Sequence, residues 1–307
     1  MMYDVVIIGS GPAGLSASIY AKRAGLKAVT LEQNPMSGGQ VLNTYEVDNY
    51  PGLSGIGGFD LGLKFREHAD KLACEFKEAS VRTVRREEPE GFTVVTQKEE
   101  IKTKTVLAAM GATHAKLNIP GEEEFAGMGV SYCATCDGAF FKGKVTAVIG
   151  GGDVAVEDAA FLSRGCEKVY LIHRRDELRA AAVLQKEVMN LPNVEILWDT
   201  VAEKIEGDGQ VKALHIKNVK TGKEERLVID GVFVAVGIVP ASDILKEVAE
   251  CDAKGYLLAG EDCALDTPGL FAAGDVRKKK LRQIVTAVAD GANAVTSILE
   301  YLQSTKV

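Results

Sequence analysis

Two cysteines stand three positions apart in the segment SYCATCDGAF, residues 131–140, and an acid follows them directly. Cys133 and Cys136 could form a redox centre, half of a metal site or a structural crosslink. Because only two residues separate them, they can close into a disulfide at a helix start without backbone strain. Asp137 could protonate a departing thiolate during disulfide exchange, although an acid here can also simply cap the loop.

The remaining cysteines and the histidines argue against a metal site. A structural zinc ion usually needs four ligands, which often come as two close pairs. No second close cysteine pair accompanies the first, and the four histidines are scattered at His68, His114, His173 and His215. We therefore predict no metal. Buried structural thiols are predicted at Cys74, Cys166, Cys251 and Cys263.

A glycine-rich segment near the start of the chain predicts a dinucleotide site. Residues 4–8 suit a buried parallel strand, a helix should follow to about Arg23, and residues 28–31 should form the next strand. Glu32 ends that strand, where an acid can bind a ribose hydroxyl. The glycines allow the turn, the approach of a pyrophosphate and close helix–strand packing, and the helix N-terminus faces the phosphates. The turn consists of Gly9, Ser10, Gly11, Pro12, Ala13 and Gly14.

The same unit recurs from Lys144. Strands are predicted at 145–149 and 169–172, and His173 stands where Glu32 stood, 23 positions after the first glycine in both units. An acid at this position favours a free ribose hydroxyl, whereas arginines favour a 2′-phosphate. The first site should therefore bind FAD or NAD and the second NADPH, unless the arginines only begin an exposed basic helix. The second site comprises Gly150, Gly152, Ala155, His173, Arg174, Arg175 and Arg179.

Two dinucleotide sites in one chain imply that electrons pass from a nicotinamide to a flavin. The cysteine pair lies just before the second unit. Such a pair beside a flavin can accept the electrons and pass them to a partner by thiol–disulfide exchange.

Length and composition set the broad class. With 307 residues, 46% of them apolar and 26% charged, the chain should form two domains of a globular enzyme. The net charge of −7 disfavours a nucleic-acid partner. No apolar run is long enough to span a membrane and no signal peptide is recognisable, so a cytoplasmic location is predicted. The basic run Arg277–Lys280 is interpreted as a solvated loop, with a docking patch as the alternative.

The motifs together resemble those of the low-molecular-weight, bacterial-type thioredoxin reductases. The resemblance extends over essentially the whole chain, and the cysteine pair combined with the arginine cluster is its most specific part. It rests on GSGPAG (9–14), SGGQ (37–40), EVDNYPG (46–52), CATCDG (133–138), GGGDVAVE (150–157), HRRDELRA (173–180), AVGIVP (235–240), AAGDV (272–276) and RQIVTAVADG (282–291).

This resemblance implies an α/β fold with two Rossmann-like three-layer nucleotide-binding domains. An NADPH domain, residues 113–241, would be inserted into a discontinuous FAD domain, residues 1–112 and 242–307, and the protein would be a homodimer. Asp153, Val154 and Glu157 would belong to the NADPH site. The flavin would be contacted by Gly38, Gly39, Gln40, Asn49, Gly274, Asp275, Arg282, Gln283 and Ile284.

The resemblance also implies a mechanism with two domain arrangements. In one, the flavin reduces the disulfide; in the other, the dithiol meets thioredoxin while nicotinamide reaches the flavin. Cys136 matches the thiol nearest the flavin, Cys133 the one that attacks thioredoxin, and Asp137 the acid that handles protons.

Two departures and several alternatives accompany this interpretation. Val154 replaces a usual serine or threonine at the NADPH pyrophosphate, and Met110 replaces a common threonine near the flavin. A ferredoxin- or NADH-linked reductase of another disulfide carrier, glutaredoxin-like or peroxidase-linked, is the main alternative, although the retained arginines disfavour ferredoxin as donor. An oxidase of small dithiols, a ferredoxin–NADP reductase and a non-enzymatic binding module explain fewer of the motifs.

Overall fold

A computed structural model describes residues 2–44, 47–87 and 91–305, leaving Glu46 of the EVDNYPG motif outside the described residues. In chain order the helices and strands are β1 (Tyr3–Ile8), α1 (Pro12–Arg23), β2 (Ala28–Glu32), α2 (Gly58–Lys71), β3 (Glu75–Glu78), β4 (Val81–Arg86), β5 (Phe92–Thr96), β6 (Glu100–Ala108), β7 (Ala112–His114), β8 (Val130–Ser131), α3 (Ala134–Asp137), β9 (Val145–Gly150), α4 (Asp153–Ser163), β10 (Lys168–Ile172), α5 (Ala182–Met189), β11 (Val194–Leu197), β12 (Thr200–Gly207), β13 (Val211–Asn218), β14 (Glu224–Val228), β15 (Gly231–Ala235), β16 (Ile238–Pro240), β17 (Leu270–Ala272) and α6 (Ile284–Ser304). Short 3-10 helices cover Gly39–Asn43, Gly138–Phe141, Asp243–Leu245 and Gly274–Val276.

The chain divides into two compact units, one formed by Met1–Thr113 with Val239–Val307 and the other by His114–Ile238. The sheet of the first unit has the order β3-β2-β1-β6-β5-β4, with β17 also paired to β6. Pairing is parallel among β3, β2, β1, β6 and β17, and antiparallel among β6, β5 and β4. Helices α1 and α6 pack against each other in this unit.

Alternation along β1 explains why both faces of this sheet are buried. Val5 and Ile7 join the core cluster that contains α1 and α6 residues. Val6 and Ile8 join the cluster on the other face, together with residues of β4 and β5 such as Val84 and Val94. Successive strand residues point to opposite faces, so an uninterrupted apolar run is what a strand covered on both sides requires.

The second unit repeats this plan on a smaller sheet. Its five strands are all parallel, in the order β11-β10-β9-β15-β8. On β9, Val148 lies in the cluster that contains α4 residues, whereas Ala147 and Ile149 lie in the cluster that contains residues of β12 and β13. An antiparallel sheet, β12-β13-β14, therefore covers the face opposite α4.

The predicted strand–turn–helix–strand units are confirmed in both halves, and so is the α/β class. Helix α1 ends at Arg23 and β2 ends at Glu32, as predicted. The residues GLFAAGD at 269–275 suggest a short buried strand that ends in an acid, and the structure differs from this in one detail. Strand β17 ends at Ala272, and Asp275 lies in the 3-10 helix that follows. Among the described residues, no helix has the length and apolar character to cross a membrane.

The prediction of four buried thiols is correct only for Cys166 and Cys263, since Cys74 and Cys251 are partly exposed. Burial raises the pKa of the Cys263 thiol to about 12 and also raises the pKa of Cys166 and Cys74. A raised pKa lowers the thiolate fraction, and the thiolate is the reactive form. These three thiols are therefore poor nucleophiles.

The first glycine turn depends on close backbone contact between β1 and α1. A Cβ atom at Gly14 would lie 1.9 Å from the carbonyl oxygen of Gly9. Gly9 itself has φ of +99°, and a Cβ there would lie 2.5 Å from the carbonyl oxygen of Ala109. Only glycine fits at either position, because the obstructing atoms belong to the backbone and cannot rotate away.

We expect Gly14→Ala to lower the free energy of unfolding by about 3 kcal/mol, because the added methyl group forces α1 away from the sheet. Denaturant unfolding and the FAD content of the purified protein would measure the effect. Gly165→Ala is the matched control, since a Cβ at Gly165 meets no atom within 4 Å. Equal stability of the two variants would contradict the close packing described above.

Candidate dinucleotide and disulfide sites

The first glycine turn leaves backbone donors free at the start of α1. Gly11 is the N-cap residue and provides no side-chain hydrogen bond, and Pro12 follows it. Uncapped N–H groups and the helix dipole favour an anion such as a pyrophosphate. The Glu32 carboxylate accepts hydrogen bonds from the Ser10 N–H at 2.9 Å and from its hydroxyl at 2.8 Å. An acid thus lies against the turn, as the sequence predicted.

The segment Gly38–Gln40 is brought to the same turn. The Gly38 N–H donates to the Ser10 carbonyl at 2.8 Å. A Cβ at Gly39 would lie only 3.2 Å from the Cα of Gly11, so two glycine backbones meet here. Gly39 and Gln40 are exposed, which leaves them accessible to a ligand.

Sequence reasoning missed two residues that support this segment. Ser37 is buried, and its hydroxyl forms a hydrogen bond of 2.9 Å with the Ser10 hydroxyl. Arg66 of α2 donates to the Ser37 hydroxyl at 2.9 Å, and its guanidinium lies 3.8 Å from the centre of the Phe76 ring. No local pattern marks Arg66, because its partners are distant in the chain.

The residues predicted to contact the flavin from the C-terminal part of the chain include two unpaired polar groups. Asp275 Oδ1 and Arg282 Nε are buried and have no hydrogen-bond partner among the described residues. Burial raises the pKa of Asp275, and the Arg282 guanidinium lies over the Tyr256 ring at 4.1 Å. Since buried polar groups are normally paired, these atoms fit a polar ligand such as the ribityl or phosphate part of FAD.

Asn49, Gln283 and Ile284 are placed beside one another. The Asn49 amide donates to Gln283 Oε1 at 2.9 Å. Gln283 is also the N-cap of α6 and forms a capping box with Thr286, and Ile284 begins the helix. Gly274 approaches the first turn, because a Cβ there would lie 3.0 Å from the Ala13 Cβ.

The basic run 277–280 is not the solvated loop that its composition indicated. The side chains of Arg277 and Lys279 are buried, whereas Lys278 and Lys280 are exposed. Arg277 donates to both oxygens of Asp290, at 2.7 and 2.9 Å, and Lys279 donates to Asp290 Oδ2 at 2.8 Å. The interpretation as a loop or docking patch is therefore wrong for these two side chains. The reason is a buried acid on α6 that neutralises them.

The same acid holds the segment that carries Asp275. The Gly274 N–H donates to Asp290 Oδ2 at 2.9 Å. Burial alone would raise the pKa of Asp290, but the hydrogen bonds from Arg277 and Lys279 outweigh it and lower that pKa. Asp290 is therefore ionised and ties the 3-10 helix Gly274–Val276 to α6.

In the second glycine turn, the close contact between strand and helix involves an alanine methyl group in place of the glycine backbone found in the first turn. A Cβ at Gly150 would lie 2.6 Å from the Ala155 Cβ, so Ala155 marks the point where α4 packs against β9. Gly152 is the N-cap of α4 and offers no side-chain hydrogen bond. Val154 and Glu157 are exposed on the first turns of the helix. Backbone donors thus remain available to an anion despite the missing hydroxyl at Val154.

His173 and the arginines occupy different environments. His173 is 4% exposed, and its ring fills the space beside Gly151, where a Cβ would lie 2.2 Å from Nδ1. Burial lowers its pKa, and its Nε2 has no hydrogen-bond partner among the described residues. The side chains of Arg174, Arg175 and Arg179 are exposed and form no ion pair within the part of the chain that the structure describes.

Backbone hydrogen bonds attach the arginine segment to the second turn. The Arg179 N–H donates to the Gly151 carbonyl at 2.7 Å. The Asp153 carboxylate accepts from the Ala181 N–H at 2.8 Å. Asp153 thus has a structural contact in this site, and the segment that carries the three arginines is attached to the start of α4 through Arg179 and Ala181.

Cys133 and Cys136 form a disulfide, with their Cα atoms 5.3 Å apart. Cys133 is the N-cap of the short helix α3, and the Asp137 N–H donates to its carbonyl at 3.1 Å. Burial raises the pKa of Asp137, although a hydrogen bond from Ser131 opposes this. Among the described residues no group of three His, Cys, Asp or Glu side chains is arranged to hold a metal ion. A closed cysteine pair and two dinucleotide turns define a disulfide oxidoreductase that uses dinucleotide cofactors.

Comparison with known proteins agrees with this class. The family described as pyridine nucleotide-disulphide oxidoreductase matches residues 3–291. The chain is 43% identical over 307 residues to a thioredoxin reductase of Listeria innocua, covering 99% of this chain and 95% of the relative. It is 42% identical over 303 residues to that of Bacillus subtilis, covering 98% of this chain and 95% of the relative. The crystal structure of thioredoxin reductase from Streptococcus pyogenes matches with a TM-score of 0.93 and 41% identity, covering 99% of each chain.

The chain belongs to the pyridine nucleotide-disulphide oxidoreductase family, and the relatives it resembles there are thioredoxin reductases. The resemblance stated from the sequence motifs is confirmed. So is the prediction of an α/β fold with two Rossmann-like nucleotide-binding domains, because the chain matches that thioredoxin reductase structure over nearly its whole length.

We expect Asp290→Asn to lower the free energy of unfolding by about 3 kcal/mol at neutral pH, because it leaves Arg277 and Lys279 buried without a counter-charge. Denaturant unfolding would measure the loss. The native pKa of Asp290 lies below that of the unfolded chain. Its contribution is therefore present above the unfolded pKa and is lost as the pH falls through the folded pKa.

Lys278→Met is the matched control in the same basic run, since Lys278 is exposed. It should change stability by less than about 0.5 kcal/mol. A loss of stability in Lys278→Met equal to that of Asp290→Asn would contradict the assignment of the buried network.

Proposed function

We propose that this chain transfers electrons from NADPH through FAD to the Cys133–Cys136 disulfide and on to oxidised thioredoxin. The observation that carries the proposal is the disulfide at the start of α3 in a chain with two dinucleotide turns. An acid accompanies the first turn and exposed arginines accompany the second. The nearly full-length similarity to thioredoxin reductases supports the same activity.

We assign FAD to the unit formed by residues 1–113 and 239–307. Its pyrophosphate would lie at Gly9–Gly14 and the N-terminus of α1, with Gly38, Gly39 and Gln40 beside it. Glu32 would face the ribose, and Asp275 with Arg282 would pair with polar atoms of the flavin side chain. Bound FAD would supply a carrier that accepts a hydride from NADPH and passes two electrons to a disulfide.

We assign NADPH to the unit formed by residues 114–238. Its pyrophosphate would lie at the free N-terminus of α4, next to Gly150 and Gly152. Arg174, Arg175 and Arg179 would bind the 2′-phosphate, because exposed guanidinium groups form charge-assisted, often bidentate hydrogen bonds to phosphates. His173 would support the site by filling the space against Gly151. Asp153 would support it by holding the arginine segment in place.

Disulfide exchange would be carried out by three residues of the α3 segment. We assign Cys136 as the thiol that faces the flavin and Cys133 as the one that attacks thioredoxin, following the family resemblance. The role of Asp137 would be to protonate a leaving thiolate. Its raised pKa supports this role, because a carboxyl group that stays protonated closer to neutral pH is a better proton donor. A homodimer is proposed on the resemblance alone, and the cytoplasmic location predicted from the sequence is kept as part of this proposal.

We expect Arg174→Ala combined with Arg175→Ala to lower kcat/KM for NADPH by about 100-fold or more, because charged hydrogen bonds to the 2′-phosphate are lost. The value for NADH should change by less than about threefold, since NADH lacks that phosphate. Arg164→Ala is the matched control, an exposed arginine at the other end of α4. Equal losses for the two nucleotides would favour the alternative NADH- or ferredoxin-linked reductase.

We expect Cys136→Ser to abolish NADPH-dependent thioredoxin reduction, with a loss of at least about 1000-fold, because no disulfide remains to exchange. NADPH should still bleach the flavin of this variant. Cys251→Ser, which removes a partly exposed thiol outside the pair, should keep nearly full activity. Retained thioredoxin reduction in Cys136→Ser would contradict the proposed electron path.

A further inference from the structure

Ser131 connects the two functional parts of the disulfide segment. It is the last residue of β8 and only 5% exposed. Its hydroxyl donates to Asp137 Oδ2 at 2.6 Å. The Cys133 N–H donates to the same hydroxyl oxygen at 3.1 Å. One side chain thus contacts the backbone of the first cysteine and the carboxylate of the acid.

The hydrogen-bond arrangement distinguishes the two oxygens of Asp137. A serine hydroxyl has one proton to donate. The Cys133 carbonyl also lies near it, at 3.3 Å, but the contact to Asp137 Oδ2 is much shorter. When Asp137 is ionised, the proton therefore points to Oδ2. Asp137 Oδ1 is buried and has no hydrogen-bond partner among the described residues.

We propose that Ser131 is a positioning residue for disulfide exchange, which holds Asp137 through Oδ2 and leaves Oδ1 as the oxygen that exchanges a proton with a cysteine sulfur. This inference rests on the proposed function, specifically on Asp137 as the proton donor. The new elements are Ser131 as the residue that orients Asp137 and Oδ1 as the atom of Asp137 that carries the proton.

Disulfide exchange at Cys133–Cys136 breaks one sulfur–sulfur bond and requires one proton for the leaving sulfur. An attacking thiolate forms a bond to one sulfur of the Cys133–Cys136 pair, and the bond between the two sulfurs breaks. The other sulfur leaves with the electron pair as a thiolate. Asp137 gives it the proton carried on Oδ1 and becomes a carboxylate, which Ser131 stabilises through Oδ2. Solvent then restores the proton of Asp137.

The titratable groups on the elements packed against α3 do not set the pKa of Asp137. Helix α3 packs against α4 and against the 3-10 helix 138–141. The acids of α4 are Asp153, Glu157 and Asp158, and the 3-10 helix has no titratable group. The raised pKa of Asp137 is caused by burial, and the opposing influence is the Ser131 hydroxyl. Removing that hydroxyl should therefore raise the pKa of Asp137 further, because it stabilises the ionised form.

The test measures reduction of Cys133–Cys136 by dithiothreitol in the FAD-loaded protein without NADPH. Free thiols would be counted by alkylation and mass spectrometry across a pH series. Each rate would be divided by that of Asp137→Asn, so that the ionisation of dithiothreitol cancels. This readout is independent of turnover with thioredoxin.

The ratio of each rate to that of Asp137→Asn should fall at high pH, where Asp137 loses its proton. We expect Ser131→Ala to shift this fall to higher pH by about one unit, because the ionised carboxylate loses one hydrogen bond. Its maximum rate should fall about tenfold, because the carboxyl group is no longer oriented. Ser131→Thr, which keeps a hydroxyl, should restore the wild-type profile. Ser163→Ala is the control, since its hydroxyl donates to the Ala160 carbonyl at 2.8 Å and has no other hydrogen bond within the described part of the chain.

Three results would overturn the inference, and they are distinguishable. If Asp137→Asn slows reduction but Ser131→Ala behaves like the wild type, Asp137 acts as the acid without Ser131. If Asp137→Asn itself leaves the rate and its pH profile unchanged, the proposed acid role fails and the inference fails with it. The double variant with both changes should match Asp137→Asn alone, and a further tenfold loss there would indicate that Ser131 acts only on folding.

Discussion

Close contact between the backbone of a strand and that of the following helix is the constraint on which both halves of the structure depend. In the first unit, Gly14 approaches the Gly9 carbonyl so closely that no side chain fits. In the second, the Gly150 backbone meets the Ala155 methyl group, so the strand and the helix approach each other through two small residues. The N-cap residues of α1 and α4 are Gly11 and Gly152, so no side chain caps either helix. Each therefore offers backbone donors to a phosphate group at the carboxyl edge of its sheet.

The two units differ in the charges placed around this common geometry. Glu32 lies against the first turn and accepts hydrogen bonds from Ser10. The corresponding position of the second unit holds His173, a buried ring, and the positive charge lies on the exposed arginines that follow. A shared backbone can thus serve two cofactors, because selectivity resides in a few side chains at the end of the second strand.

Local patterns predicted much of this arrangement. The strand, glycine turn and helix of each unit follow from residues close together in the sequence, and so does the cysteine pair. The missed features all depend on tertiary contacts. Asp290 neutralises Arg277 and Lys279 from α6, and Arg66 reaches Ser37 from α2. Composition gave no sign that half of the basic run 277–280 is buried. Likewise, the position of His173 was predicted, but its burial under Gly151 was not.

The proposed activity requires that one chain moves electrons from NADPH through FAD into the Cys133–Cys136 disulfide. Anaerobic titration of the purified yellow protein with NADPH, with flavin absorbance and free thiols recorded together, tests it most directly. Full reduction should consume about two hydride equivalents per chain, one for the flavin and one for the disulfide, and thiols should appear at Cys133 and Cys136. A flavin that stays oxidised with NADPH but is bleached by reduced ferredoxin would contradict the account.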